Sequence, residues 1–163
     1  MLINVGEAYV VVNIIAGSLV EKDQDLQQIL KDGYTGDPSQ HSLHIPDDLD
    51  INADDDSLKL KLKIFGGPSA GEIFYYKMDA PCKIVIGRTA DSDIKINDKL
   101  LSKFQASIEY STEDGTWTLS DGMTGNGGKP STNGTWLYLN EPFRMFAGMV
   151  FKANQTIFKV DIR

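Results

Sequence analysis

The chain has 163 residues, 41% of them hydrophobic and 24% charged, which is enough for one domain with its own core and excludes collagen-like, low-complexity and wholly disordered classes. A single cysteine, Cys82, excludes an internal disulfide framework and a cysteine-built zinc site, and two histidines, His41 and His44, are too few for most other metal sites. No apolar run approaches the roughly 18 residues of a membrane span. The nearest, Tyr9 to Ala16, is interrupted by Asn13 and preceded by Glu7, so no membrane partner or secretory leader is expected and the default is an intracellular compartment, cytoplasmic or nuclear.

The net charge of −7 is unevenly spread: residues 1–56 hold 12 acidic and 2 basic side chains, net −10, which leaves 11 and 14, net +3, for residues 57–163. An acidic half argues against a general nucleic-acid binder, whose phosphate affinity comes from Lys and Arg clusters. The mildly basic remainder leaves room for a small anionic ligand.

In chain order, Met1 to Ile15 reads as two short strands around Gly6. A helix is expected over Leu19 to Asp32, with Ser18 and Glu21 at capping-box spacing, an apolar stripe of Leu19, Val20, Leu26, Ile29 and Leu30, and Gly33 as C-terminal cap. Residues 1–33 are therefore taken as an N-terminal extension. Tyr34 to Asp56, with Pro38, Pro46 and the acidic set Asp47, Asp48, Asp50, Asp54, Asp55 and Asp56, reads as an acidic linker that holds both histidines.

From Ser57 to Arg163 the pattern changes to short alternating runs separated by Gly, Asp, Asn and Pro. Leu58, Leu60, Leu62 and Ile64 alternate with Lys59, Lys61 and Lys63, which predicts a half-buried strand with a charged outer face. Further strands are expected at Ile73 to Met78, Lys83 to Ile86, Ile94 to Ile96, Gln105 to Tyr110, Trp117 to Ser120, Thr135 to Leu139, Val150 to Lys152 and Thr156 to Ile162. Such spacing without helical period indicates an all-β antiparallel sandwich. The aromatics Trp117, Trp136, Phe151 and Phe158 are expected to fill its core or plug its ends.

Enzyme constellations do not assemble. Gly128-Lys129 suggests a nucleotide loop, but Met123 stands where the first glycine belongs, Pro130 replaces the hydroxyl residue that would hold magnesium, and a strand follows. Neither histidine has a triad-like setting, and Asp91 and Asp93 read as turn residues. No catalytic residue, metal or cofactor is expected.

Another set of motifs does cohere. Ile86-Gly87-Arg88 is followed by Ser92-Asp93-Ile94, Leu101-Ser102-Lys103-Phe104-Gln105-Ala106, Leu119-Ser120-Asp121 and Ser131-Thr132-Asn133-Gly134-Thr135-Trp136. In this order, with Gly148 and Thr156-Ile157-Phe158-Lys159-Val160 closing the series, they resemble the forkhead-associated (FHA) domain over Ser57 to Arg163. The resemblance implies an eleven-stranded β-sandwich that binds phosphothreonine peptides through loops at one end, as a signalling module. Phosphothreonine carries about −1.5 to −2 charges and three acceptor oxygens, so a reader needs a fixed cation and neutral donors.

By the same resemblance Arg88, Ser102, Lys103, Thr132 and Asn133 contact the phosphopeptide. Arg88 and Lys103 supply cations, Ser102 and Thr132 donate hydroxyls to the phosphate, and Asn133 grips the ligand backbone. Gly87, Gln105 and Gly134 support the loops. Gln105 departs from the family, standing where a bracing histidine is usual, and the segment from Asp121 to Ser131, with Gly122, Gly125, Gly127 and Gly128, is longer than usual; Lys129 within it is expected in solvent. The alternative is a phosphate-independent scaffold or dimerisation domain with the same fold.

Finally, Met1 to Ile14 aligns without gaps on Met149 to Ile162, sharing Met, Val and Ile at the first, twelfth and last places. The second segment is the terminal hairpin of the FHA resemblance, so the first reads as a remnant of a preceding FHA domain. It is expected to dock on the sandwich or to mediate homodimerisation, with the sandwich able to fold from Ser57 onward.

Overall fold

The computed structural model describes residues 1–33, 43–78, 81–123, 128–153 and 156–162. Gly6, at φ +58°, turns β1 (Leu2–Val5) into β2 (Ala8–Ala16). This backbone region suits glycine, and an added Cβ there would also press on the Asp98 carboxylate. After the helices α1 (Leu19–Lys22) and α2 (Gln24–Lys31) and the short β3 (Leu43–His44), the strands β4 (Leu58–Phe65), β5 (Ile73–Lys77), β6 (Cys82–Gly87), β7 (Ile94–Lys95), β8 (Ala106–Ser111) and β9 (Thr116–Asp121) follow. The last strands are β10 (Trp136–Leu137), β11 (Val150–Ala153) and β12 (Thr156–Lys159). The expectations for residues 34–42, including Pro38 and His41, and for Gly125 and Gly127 fall outside the described residues.

Two sheets, in the orders β10-β1-β2-β4-β5-β3 and β7-β6-β8-β9, face each other. Their inward side chains share one apolar core, with Ile3, Val5, Val10, Leu60, Leu62 and Ile64 meeting Ile84, Ile86, Ile94, Ile96, Leu101 and Ile108. The architecture is the expected all-β sandwich with an N-terminal helical segment, and neighbouring strands are antiparallel except for β3 with β5 and β6 with β7.

Several expectations need correction. The N-terminal strands are members of the first sheet, with β2 pairing β4 from Tyr9↔Phe65 to Ala16↔Leu58 and β1 pairing β10. Hydrogen bonding in that sheet thus crosses the boundaries read near Gly33 and Ser57. The expected single helix breaks at Asp23, which is extended at φ −101° and ψ 105°. Ser18 caps α1, and the Asp23 carboxylate accepts from the Asp25 and Leu26 N–H groups to start α2. The described residues of the expected linker pack on the sheet: Leu49 is buried with Leu19, Leu26, Ile73 and Tyr75, and the Ile51 carbonyl accepts from the Leu19 and Val20 N–H groups. His44 belongs to β3 and stacks on Phe74 with ring centroids 4.1 Å apart.

The lysine face of β4 is not a solvent face. Lys59 and Lys61 are 1% and 5% exposed. Lys61 Nζ lies 2.6 Å from Asp23 and 2.7 Å from Asp25, Lys63 binds the other oxygen of Asp25, and Lys59 lies 2.6 Å from Asp55. The helical layer supplies Asp23 and Asp25, so some of the charge asymmetry of the sequence is resolved inside the fold as an ion-pair layer. Tyr75 adds a hydroxyl that donates to Asp23 at 3.0 Å. Its pKa is pushed far above the ordinary range, first by burial and then by that carboxylate. For Asp25, burial pulls the pKa upward, but hydrogen bonds from Lys61 and Lys63 outweigh it and hold the carboxyl below its ordinary 3.8.

The aromatics divide. Trp117 packs against the core beside Tyr110, whereas Phe151 and Phe158 stack on one another, 5.0 Å apart, in the separate β11–β12 hairpin.

Candidate functional site

At one end of the sandwich three loops converge, following β6, preceding β8 and preceding β10. The first is brought in by Gly87. A Cβ at that position would lie 2.0 Å from the Lys103 carbonyl oxygen and 2.6 Å from Ser92 Oγ, so glycine alone lets the two backbones touch. Arg88 N–H then donates to the Ser102 carbonyl at 3.3 Å, which makes Arg88 and Ser102 backbone neighbours. Thr89 and Ser92 hydroxyls donate to the Lys103 carbonyl and complete the seam.

Ser102 and Thr132 meet across loops 30 residues apart in sequence. Ser102 Oγ donates to Thr132 Oγ1 at 3.2 Å and accepts from the Thr132 N–H at 2.9 Å. Neither hydroxyl is fully buried. Asn133 uses one amide hydrogen on the Leu100 carbonyl at 2.7 Å, and its own carbonyl accepts from Trp136 Nε1. The other amide hydrogen and the side-chain oxygen have no hydrogen-bond partner among the described residues. Arg88 and Lys103 are exposed, and neither side chain has an ion pair or hydrogen bond among the described residues.

Gln105 sits beneath these groups and is 0% exposed. Its side-chain oxygen accepts from the Ser102 N–H at 3.0 Å. Its amide nitrogen donates to Ser131 Oγ and the Gly134 carbonyl, both at 2.9 Å, with Thr135 Oγ1 at 3.3 Å. One side chain therefore bonds to both loops that present the Ser102–Thr132 pair. Gly134, at φ +78°, folds the second loop tightly enough for its N–H to donate to Ser131 Oγ.

Sequence reasoning assigned no role to Asp121, Ser131 or Asp98. The Asp121 carboxylate accepts from Ser131 N–H, Ser131 Oγ and Thr135 Oγ1, which anchors the loop to the end of β9. Buried Asp98 accepts from Glu7 N–H at 3.0 Å and Leu100 N–H at 2.8 Å, linking the N-terminal turn to the loop that carries Ser102. An Asx signature at Asp98, two residues before Leu100, was available in the sequence. Asp93, expected as a turn residue, accepts from Val85 N–H at 2.7 Å. Lys129 is exposed, with its carbonyl against Gly122.

The chemistry on offer is two cationic side chains, unpaired among the described residues and carried by backbone neighbours of Ser102, together with two hydroxyls and a half-used amide in braced loops. Such a surface suits an anion with several acceptor oxygens. Two concavities lie away from these loops: one of about 390 Å³ is lined by Leu43, His44, Phe74 and Tyr76, and one of about 400 Å³ by Asn13, Asp25 and Lys61.

A family model described as FHA domain matches residues 84–151, a span that contains Arg88, Ser102, Lys103, Gln105, Thr132, Asn133 and Gly134. The sandwich and its end loops agree with that match, which supports the FHA family for this part of the chain. FHA domains are non-catalytic modules that generally bind phosphothreonine peptides. No curated protein and no solved structure matches the chain. Among the described residues no helix is long and apolar enough to cross a membrane.

Proposed function

We propose that the chain is an intracellular phosphothreonine-dependent protein-interaction module that works without catalysis, metal or cofactor. The observation that carries this reading is the Ser102–Thr132 hydroxyl pair, braced by Gln105 and flanked by the uncommitted cations of Arg88 and Lys103. On binding, the Ser102 hydroxyl turns from Thr132 toward a phosphate oxygen, and Thr132 donates its own hydrogen. One neutral hydrogen bond is thereby exchanged for charge-assisted ones, which are about twice as strong. Arg88 holds the phosphate or the adjoining backbone, Lys103 adds long-range attraction, and the free amide functions of Asn133 receive the ligand main chain.

The test is an oriented phosphothreonine peptide library with unphosphorylated controls, followed by calorimetric titration of the selected peptide. Arg88→Ala is expected to weaken binding by about 2 to 5 kcal/mol and Ser102→Ala by roughly 1 to 3, with folding preserved. Equal titration curves for wild type and Arg88→Ala would sink the assignment.

A further inference from the structure

The two terminal hairpins are twins in structure as well as in sequence. In the first, Leu2, Ile3, Asn4 and Val5 face Val11, Val10, Tyr9 and Ala8. In the second, Val150, Phe151, Lys152 and Ala153 face Lys159, Phe158, Ile157 and Thr156. Every pair is displaced by the same 148 positions, and so is the closing bond: Val12 N–H to the Met1 carbonyl corresponds to Val160 N–H to the Met149 carbonyl, each at 2.8 Å.

Their surroundings differ. The first hairpin pairs with β4 and buries Ile3, Val5, Ala8 and Val10 completely. The second forms a two-stranded sheet by itself, with Ile157 60% exposed and Phe158 43%. Leu139, Phe143, Met145 and Phe146, which lead into it, are exposed as well. An isolated hairpin with an uncovered apolar face is marginal in water and marks a contact surface. Among the described residues, the surface that receives this pairing register is the side of β4 with the apolar face behind it, and it is already filled in its own chain.

We propose that the C-terminal hairpin is a docking element for a second copy of this chain, entering that copy's sheet beside β4 in place of its N-terminal hairpin. In the shared register Phe151, Ala153, Thr156, Phe158 and Val160 replace Ile3, Val5, Ala8, Val10 and Val12 at the core, and Ile157 replaces Tyr9 opposite Phe65. The slot holds one hairpin before and after, so the exchange costs little pairing, as in other swaps of equivalent elements. Two aromatic rings supply more apolar area than Ile3 and Val10 but must be accommodated by widening the slot, so the association is weak and concentration-dependent.

The test uses the full chain in a Cys82→Ser background that melts like wild type. Tyr9, Phe65 and Ile157 are all exposed, so cysteines there leave the core intact. Phe65→Cys and Ile157→Cys chains are mixed under mild oxidation. A mixed disulfide dimer several-fold more abundant than either homodimer is expected. Sedimentation should also show a wild-type association that disappears when a Tyr9→Cys/Phe65→Cys disulfide locks the N-terminal hairpin in place, and returns on reduction. Absence of the mixed dimer, association that persists in the locked chain, or a Phe65→Cys/Ile157→Cys double variant that closes only within monomers would each overturn the proposal.

Discussion

Replacing Gln105 by Ala removes the brace between the two loops that present the hydroxyl pair. Its side chain accepts one hydrogen bond, from Ser102 N–H, and its two amide hydrogens are shared among Ser131 Oγ, the Gly134 carbonyl and Thr135 Oγ1. Counting three bonds at about 1 kcal/mol each gives a loss near 3 kcal/mol, and because the residue is fully buried little of it is recovered from water. The loss falls on the loops, so some of it appears when ligand binds: re-ordering the Ser102 and Thr132 side chains at about 0.5 to 1.5 kcal/mol each weakens phosphopeptide affinity roughly tenfold. Urea unfolding and peptide titration on the same samples measure both quantities. Gln105→His restores a donor and is expected to recover some of the affinity. If Gln105→Ala left both the unfolding midpoint and the affinity unchanged, the bracing role would be refuted.

Matched peptides that differ only in the γ-methyl of the phosphorylated residue should favour phosphothreonine several-fold, since one buried methyl is worth about 1 kcal/mol; equal affinities would remove the methyl pocket beside Asn133 from the reading. Asp25 has a folded pKa below its ordinary 3.8, so its contribution to stability is complete above that value and fades as pH falls through the lower folded pKa. Thermal melts of wild type and Asp25→Asn should therefore converge in acid and separate toward neutral pH. Ile3→Ala, at a fully buried position, is expected to cost about 2 to 5 kcal/mol in denaturant unfolding, whereas Phe158→Ala in the outlying hairpin costs under about 1; similar losses would contradict the unequal burial of the twin hairpins.

The strands were legible because alternation and turn residues are local signals, and the loops because Arg88, Ser102, Thr132 and Asn133 stand in a distinctive order. What escaped the sequence was non-local. Lys59, Lys61 and Lys63 look like a solvent face until Asp23, Asp25 and Asp55 cover them, and the first of those partners lies 38 residues away. Asp23 looks like one more helical residue, yet its carboxylate serves α2, Lys61 and Tyr75 together, which the backbone accommodates by breaking the helix. Composition marked Tyr34 to Asp56 as a linker, because the few apolar residues that bury it, Leu43, Leu49 and Ile51, are outnumbered by aspartates. The separate fates of the hairpins were invisible, since both carry the pattern of a half-buried strand pair.

The buried lysines of β4 also restrict how its edge can be used. Side chains on a strand alternate, so a partner displaced by one residue would turn its apolar side chains toward Asp23, Asp25 and Asp55 and its polar ones toward Leu60, Leu62 and Ile64. Both errors are unfavourable: one sets polar groups against the apolar core without partners, and the other sets apolar side chains against the buried Lys59, Lys61 and Asp23. Only even shifts keep the parity. The ion-pair layer on one side of β4 and the apolar core on the other thus act as a frame check on the hairpin that pairs there, rejecting every odd-numbered slip of β2 along β4.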